Sequence, residues 1–469
     1  MNPFYLVLLL FIPFLASCQS VKAKDERPNI ILIMADDQGW GDTGYNGHPF
    51  VKTPNLDAMA KVSFVMNRFY AGAPVCSPTR ASVLTGRHPF RSKVLNHGHY
   101  CRPQEETIAE ALKRAGYDTG HFGKWHIGSV QKQSPVSPGQ QGFDEWISAP
   151  NYYDIDPYLS KNGQAEQFKG ESSELTMDWS VDFIKRKANK EKPFFLVCWF
   201  SAPHWPHQVL PADRKLYAGK KGADYFQEIT VMDRHIGRVR EALRKEGIEK
   251  NTLVWYCSDN GGLMAESSGG RDKKGSIYEG GLRVPCIVEW PGTIKPGSTN
   301  MPAFTSDMYP TILEIAGVKP GHTHPLDGIS INKSFYGSTV ERKEGLGFWH
   351  GFANGQSTYS DKIVKQIMEA QQAGKEIAIP ERIKKDIDEF KQYSTTSFPG
   401  HAAWTRFPWK LHRIEAKGKV TFELYNLESD PMETKDQSQS RPELLNKMKK
   451  ELNVWQISVI NSLNGKDYK

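Results

Sequence analysis

Cys76 opens the run Cys76-Ser77-Pro78-Thr79-Arg80-Ala81-Ser82-Val83-Leu84-Thr85-Gly86-Arg87, in which a sulfur nucleophile precedes an arginine by about one helical turn. Pro78 near the start and Gly86 at the end predict a short helix, because proline is tolerated in a first turn and glycine favours the stop. Cys76 then lies at the helix N-terminus, where free N–H groups and the helix dipole favour an anion. Arg80, one turn on, reaches toward the same end. Three chemistries suit such a cysteine: a thiolate nucleophile of lowered pKa, a structural thiol, or a site of covalent modification. Two further pairs bear on the choice. Asp36-Asp37 follows the apolar run Ile30–Met34, and Asp259-Asn260 follows Thr252–Cys257. Adjacent carboxylates repel unless something positive neutralises them. Brought together, the two pairs form an all-oxygen cage that suits Ca²⁺ or Mg²⁺ rather than zinc. Taken singly, each reads equally well as a turn or a helix cap.

The elements that must position these groups follow from the pattern of the chain. Apolar runs at Ile30–Met34, Phe194–Phe200, Thr252–Cys257 and Cys286–Trp290 predict strands, and Asp118–Phe122, which is not continuously apolar, is a further strand candidate. Amphipathic stretches at Thr53–Lys61, Glu105–Ala115, Leu175–Lys187 and Asp224–Lys245 predict the helices between them. Alternation of this kind predicts an α/β fold whose sheet is mixed, mostly parallel and covered by helices on both faces. In such sheets ligands collect at the carboxyl ends of the strands, where both acidic pairs fall. After about Leu326 the character changes. A lysine-rich helix is expected over Ser360–Tyr393, short strands at Trp404–Ile414 and Val420–Tyr425, and a final helix over Pro442–Val459, which describes a smaller α+β domain with an antiparallel sheet.

The chain has 469 residues, 39% of them hydrophobic and 24% charged, with a net charge of +7. That balance excludes disorder, six cysteines are too few for a disulfide scaffold, and the charge is too mild for a nucleic-acid partner. Phe4–Phe14 is an apolar stretch shorter than the roughly 20 residues needed to span a bilayer, and it fits the core of a signal peptide. Leu15-Ala16-Ser17-Cys18 resembles a bacterial lipobox. The reading is a signal peptide over 1–18, a lipid anchor on Cys18, a polar tether over 19–27, and export to the periplasm or outer membrane of a bacterium. The catalytic domain is expected over 28–326 and a C-terminal subdomain over 327–469. Cys198, Cys257 and Cys286 sit in strand runs and read as buried hydrophobes. Cys101 is open to either a free or a paired state.

The Cys76 segment resembles the Cys-x-Pro-x-Arg signature of the sulfatase family and its extension through Gly86-Arg87. Other pieces follow in the family's order: Gly123-Lys124-Trp125-His126, Ala202-Pro203-His204-Trp205-Pro206, Lys274-Gly275-Ser276-Ile277-Tyr278-Glu279-Gly280-Gly281, and Glu423-Leu424-Tyr425-Asn426-Leu427 with Asp430-Pro431. The resemblance covers about residues 28–458 and leaves 355–400 without a counterpart. It implies an alkaline-phosphatase-like fold and hydrolysis of sulfate monoesters on a sulfated polysaccharide or oligosaccharide. It further implies that a maturation enzyme oxidises Cys76 to formylglycine, whose hydrated aldehyde is the nucleophile.

By the same resemblance Asp36, Asp37, Asp259 and Asn260, with the modified Cys76, hold a divalent cation, Ca²⁺ ahead of Mg²⁺. Arg80 stabilises the hydrate, Lys124, His204 and Lys274 bind the sulfate, His204 or Lys274 protonates the leaving oxygen, and His126 assists release of the sulfate. Lys274 is preferred to Lys273 because it directly precedes Gly275. Arg283 falls beside the same anion site, and His207 reads as a substrate contact or as structural. Loop residues His97, His99, Asn151–Tyr153, His322–His324 and His401 are candidates for the rest of the substrate pocket. Two other readings compete: a phosphodiesterase or phosphonate hydrolase of the same superfamily, and an inactive lipid-anchored glycan-binding protein.

Overall fold

Five of the chain's strands form the parallel centre of a ten-stranded sheet. Glu145–Ala149, Asp118–Lys124, Phe194–Trp199, Asn29–Ala35 and Thr252–Ser258 lie side by side in that order. The last three are buried along their whole length, as a sheet covered on both faces requires. Antiparallel strands flank this centre. Cys286–Glu289 and Phe64–Met66 continue it on one side, where Gly297–Thr299 pairs parallel with Phe64–Met66 at the rim, and the hairpin Tyr158–Lys161 with Gln164–Gln167 closes the other. The computed structural model describes residues 26–468 other than 189, 376, 380–382, 384 and 386–388. The expected signal peptide, Cys18 and most of the tether lie outside the described residues. Among the described residues no helix is long and apolar enough to cross a membrane.

Side chains of a strand alternate between faces, and two cores result. Ile30, Leu32 and Met34 meet Phe195, Val197 and Trp255 under the helices Cys76–Thr85, Ile108–Arg114 and Met308–Ile315. Ile31, Ile33 and Ala35 meet Leu196, Cys198 and Tyr256 under Pro54–Val62, Ser172–Lys187 and Ala223–Lys245. This is the α/β layering expected, with helices on both faces of a mixed sheet. The helix expected from Glu105 begins at Ile108 instead, because Thr107 caps it in a reciprocal pair with Glu110. Glu105 is left free to bind Arg87 at 2.7 Å.

The C-terminal sheet is antiparallel, in the order Leu346–His350, Gly400–Arg406, Trp409–Ala416 and Lys419–Asn426. The helix Pro442–Leu463 covers it through Met448, Leu452, Trp455 and Val459, which pack on Trp349, Trp404, Leu411 and Leu424. Two expectations need correction. The single strand read over Trp404–Ile414 is a hairpin that turns at Phe407-Pro408, since a proline cannot donate to a ladder. The lysine-rich helix expected over Ser360–Tyr393 ends at Gln372, ahead of Gly374 in a left-handed conformation at φ +64°, and much of the stretch from 376 to 388 lies outside the described residues. That helix packs on the large domain: Val364 and Ile367 enter its core, and Gln371 bonds both Ala165 and Gly163 of the edge hairpin.

Candidate active site

The carboxyl ends of the parallel strands carry the predicted groups to one place. Asp36 and Asp37 leave the strand Asn29–Ala35. The Asp36 N–H donates to Ala202 O at 3.0 Å, and Asp37 turns the chain at φ +73°, a conformation that aspartate tolerates better than most residues. The Asp37 N–H donates to Asp259 Oδ1 at 3.1 Å, and its carbonyl accepts the Tyr225 hydroxyl at 2.8 Å. Thus the two acidic pairs, 222 residues apart, are tied through the backbone. Lys124 closes its strand, and His126 follows at φ +59°. The helix Cys76–Thr85 begins with Cys76 in its first turn and ends at Gly86, as expected, with every residue buried.

Opposite charges are then paired at close range and out of water. Lys124 Nζ lies 2.6 Å from Asp36 Oδ2, and both side chains are fully buried. Arg80 donates from Nη2 and Nε to Asp259 Oδ2 at 2.7 and 3.2 Å and from Nη1 to the Lys124 carbonyl at 3.0 Å. Its guanidinium also lies 5.0 Å from the Trp199 ring. Lys274 Nζ meets Asp37 Oδ2 at 2.7 Å, while Lys273 is exposed. His204 Nε2 lies 3.8 Å from the same Asp37 oxygen, with its ring stacked on Tyr152 at 4.6 Å. Asn260 Nδ2 donates to Asp37 Oδ1 at 2.7 Å. The structure therefore brings together Asp36, Asp37, Cys76, Arg80, Lys124, His204, Asp259, Asn260 and Lys274.

Burial sets the protonation states. It pushes the Cys76 thiol up, with Asp36 and Asp259 adding to the push against Lys124 and Lys274, so the low-pKa thiolate reading finds no support. Burial likewise raises Asp36, but Lys124 and Arg80 hold it below the usual carboxylate range. Burial and the Asp36 charge push Asp259 up to about 7 in spite of Arg80. His204 is pushed down to about 4 by burial and Lys274, and His126 well down by burial, Lys124 and Arg80, so both rings are neutral.

The donor set fits a hard cation. Single ligand atoms of Asp36, Cys76 and Asp259 lie within 4.8 Å of one another, as do those of Asp36, Asp37 and His204. Asp36 Oδ1 and Asn260 Oδ1 are buried and have no hydrogen-bond partner among the described residues. Buried oxygens of this kind are uncommon unless a ligand completes them.

The outlying candidates divide. His97 lies near enough for Lys274 and Lys124 to depress its pKa further after burial has lowered it. His99 Nε2 lies 2.9 Å from Asn354 O, and Asn151 bonds Thr358 and Ser360, so the loop 354–360 borders the site. Tyr153 is buried and bonds Thr176 and Ser201. His322 and His324 are corrected: they stack on each other beside Tyr309 and Tyr468, at the far end of the Cys76 helix. That is roughly 15 Å from Cys76 by helix rise. His401, in the C-terminal sheet, bonds His412 through Nε2 at 2.8 Å, and its ring lies 5.2 Å from that of Tyr278. Arg283 stacks on Trp40 at 3.7 Å and donates to Asn67 O, away from the acids. His207 pairs with Glu228 at 3.1 Å. Sequence reasoning missed Ser77, whose hydroxyl accepts the Gly98 N–H at 2.9 Å and so fixes the His97 loop, and it missed Tyr225 and Trp199. Ser77 lay inside a motif already quoted, and Trp199 and Tyr225 carried no signal beyond a core pattern.

A parallel-centred α/β sheet with three acids, three cations and a helix N-terminus gathered at its strand ends defines a protein built to hold a metal cation and an anion together. A family model described as Sulfatase matches residues 28–318. The chain is 33% identical over 352 residues to the N-acetylgalactosamine-6-sulfatase of Mus musculus, covering 65% of this chain and 66% of that protein. It is 31% identical over 366 residues to arylsulfatase A of Homo sapiens, covering 69% and 71%. The matches thus span about two thirds of these relatives' length. The crystal structure of Ps i-CgsB in complex with k-i-k-neocarrahexaose superposes with a TM-score of 0.76 at 26% identity, covering 94% of each chain. The chain belongs to the sulfatase family.

Proposed function

We propose that the protein is a sulfuric ester hydrolase that removes sulfate from a sulfated oligosaccharide or polysaccharide. The observation that carries this reading is the convergence of Lys124, Lys274, Arg80 and His204 on the acids around Cys76. A monoester of sulfate needs an in-line nucleophile, cations on its nonbridging oxygens and a proton for the leaving alkoxide. Lys124, Lys274 and His204 bind and orient the sulfuryl oxygens. Arg80 holds Asp259 and the Lys124 carbonyl, so that the Cys76 helix and the strand ends keep one geometry. Lys274 delivers the proton to the leaving oxygen, since His204 is neutral, and His126, with both ring nitrogens unpartnered among the described residues, is available to hold a proton beside them. Asp36, Asp37, Asp259 and Asn260, together with the modified Cys76, would hold a divalent cation, Ca²⁺ ahead of Mg²⁺, which as a Lewis acid neutralises sulfate charge. Cys76 converted to formylglycine by a maturation enzyme supplies a hydrated aldehyde as the nucleophile.

The saccharide is supported by the names of the relatives: one is an N-acetylgalactosamine-6-sulfatase, and the matched structure contains a neocarrahexaose. We assign the catalytic domain to 28–326 and the C-terminal subdomain to 327–469. We further propose export and a lipid anchor on Cys18, on the strength of Leu15-Ala16-Ser17-Cys18 alone. Release of sulfate against phosphate or phosphonate from matched chromogenic esters tests the reaction. Faster sulfate release supports the reading, preference for phosphorus esters favours the superfamily alternative, and no turnover of either leaves a glycan-binding protein.

A further inference from the structure

Lys274 reaches Asp37 from a loop whose apolar anchor, the buried Ile277, lies three residues further on. Asp272 and Lys273 are exposed, and Gly275, at φ +89°, has nothing near its missing Cβ. Two backbone bonds hold the middle, Lys274 N to Gly262 O at 3.1 Å and Gly275 N to Pro74 O at 2.9 Å. Both ends of the loop are held by the C-terminal subdomain. At the entry, the Arg271 guanidinium donates to Glu433 O at 3.1 Å and lies 3.7 Å over the Tyr278 ring. At the exit, the Tyr278 hydroxyl donates to Glu423 at 2.6 Å, and the Glu279 N–H donates to Glu433 Oε2 at 2.6 Å.

Behind these contacts lies a closed set of buried charges. Lys410 Nζ sits between Glu279 Oε1 at 3.0 Å and Glu433 Oε1 at 3.1 Å. Glu279 Oε2 accepts the Tyr70 hydroxyl at 2.9 Å, and Glu433 Oε1 lies 2.7 Å from His412 Nε2. His412 and His401 are kept neutral, chiefly by burial, so His412 donates to Glu433 and accepts from His401. Burying two glutamates and a lysine gains little stability over an apolar core. What such a network supplies is one fixed arrangement of the groups it joins.

We propose that Lys410 and Glu433 are positioning residues for the reaction, acting through Glu279 to hold the loop that presents Lys274 to the sulfate. The inference rests on the sulfatase reading. Its test is turnover of a chromogenic sulfate ester by the full chain, for the variant Lys410→Met with Glu433→Gln, which removes one charge of each sign. Misplacement of a binding group by about 1 Å costs up to about 10²-fold, so kcat is expected to fall about 10–100-fold, with KM moving less than threefold. In a Lys274→Ala background the same pair of changes is expected to cost less than threefold, because the group they position is gone. An equal loss in both backgrounds, or no loss in a folded variant that keeps Lys274, overturns the inference. Should the pair variant fail to fold, Tyr70→Phe, which deletes only the hydroxyl on Glu279, must show a smaller loss with the same dependence on Lys274. A wild-type enzyme that releases no sulfate overturns the functional reading itself rather than the coupling.

Discussion

Two buried charge clusters lie in this molecule, and they differ in how completely they are satisfied. Around Lys410, every side chain of the network has a partner: Glu279, Glu433, His412 and Tyr70 are all bonded. Around Cys76, Asp36 Oδ1, Asn260 Oδ1, His204 Nδ1 and both nitrogens of His126 have none among the described residues. Folding alone would favour the first arrangement everywhere, because an unpartnered buried polar atom costs about 1–3 kcal/mol. The contrast separates a cluster that holds the fold from one that keeps its oxygens and ring nitrogens for a ligand.

The largest test of that contrast is activity. Lys124→Ala and Lys274→Ala should each lower sulfate release about 10²–10³-fold, the range for removing one well-placed charge-stabilising donor. Near-normal turnover in both would remove the anion site from the account. Stability should show the opposite ordering. Lys410→Met leaves two buried glutamates facing each other and should cost about 3–5 kcal/mol in denaturant unfolding. Asp37→Asn should cost less than about 1 kcal/mol, because functional clusters are not optimised for stability. Equal costs would erase the distinction between the clusters. Chelation should come next: stripping divalent ions should abolish turnover and lower Tm, and Ca²⁺ should restore both more fully than Mg²⁺ at equal concentration. The smallest effect is on acid stability. Burial would raise Asp327, but Arg91 at 2.7 Å holds it below the usual range. A depressed folded-state pKa stabilises above the unfolded value of about 3.9, and that contribution is lost as pH falls below it. Asp327→Asn should therefore flatten the fall of Tm below about pH 4.

Much of the site was legible because its residues belong to strand ends and to one helix start, and both are local patterns. The acids after Ile30–Met34 and Thr252–Cys257, and the proline and glycine that bound the Cys76 helix, each announce their position within a few residues. The second cluster was not legible. Lys410 meets Glu279 across 131 residues, and nothing in either neighbourhood points to the other. His322 and His324 failed as pocket residues for the same reason: a histidine in a loop has no period that says which way the loop folds. The edge strands Gly297–Thr299 and Gln164–Gln167 were too short to show an alternation.

The central claim is that Cys76 is the precursor of the nucleophile and does not act as a thiol. Mass spectrometry of the Cys76 peptide, from protein purified in active form from its own host, tests it most directly. The account predicts a mass matching an aldehyde in place of the thiol, in a fraction that tracks specific activity. An unmodified thiol throughout a fully active preparation would contradict it.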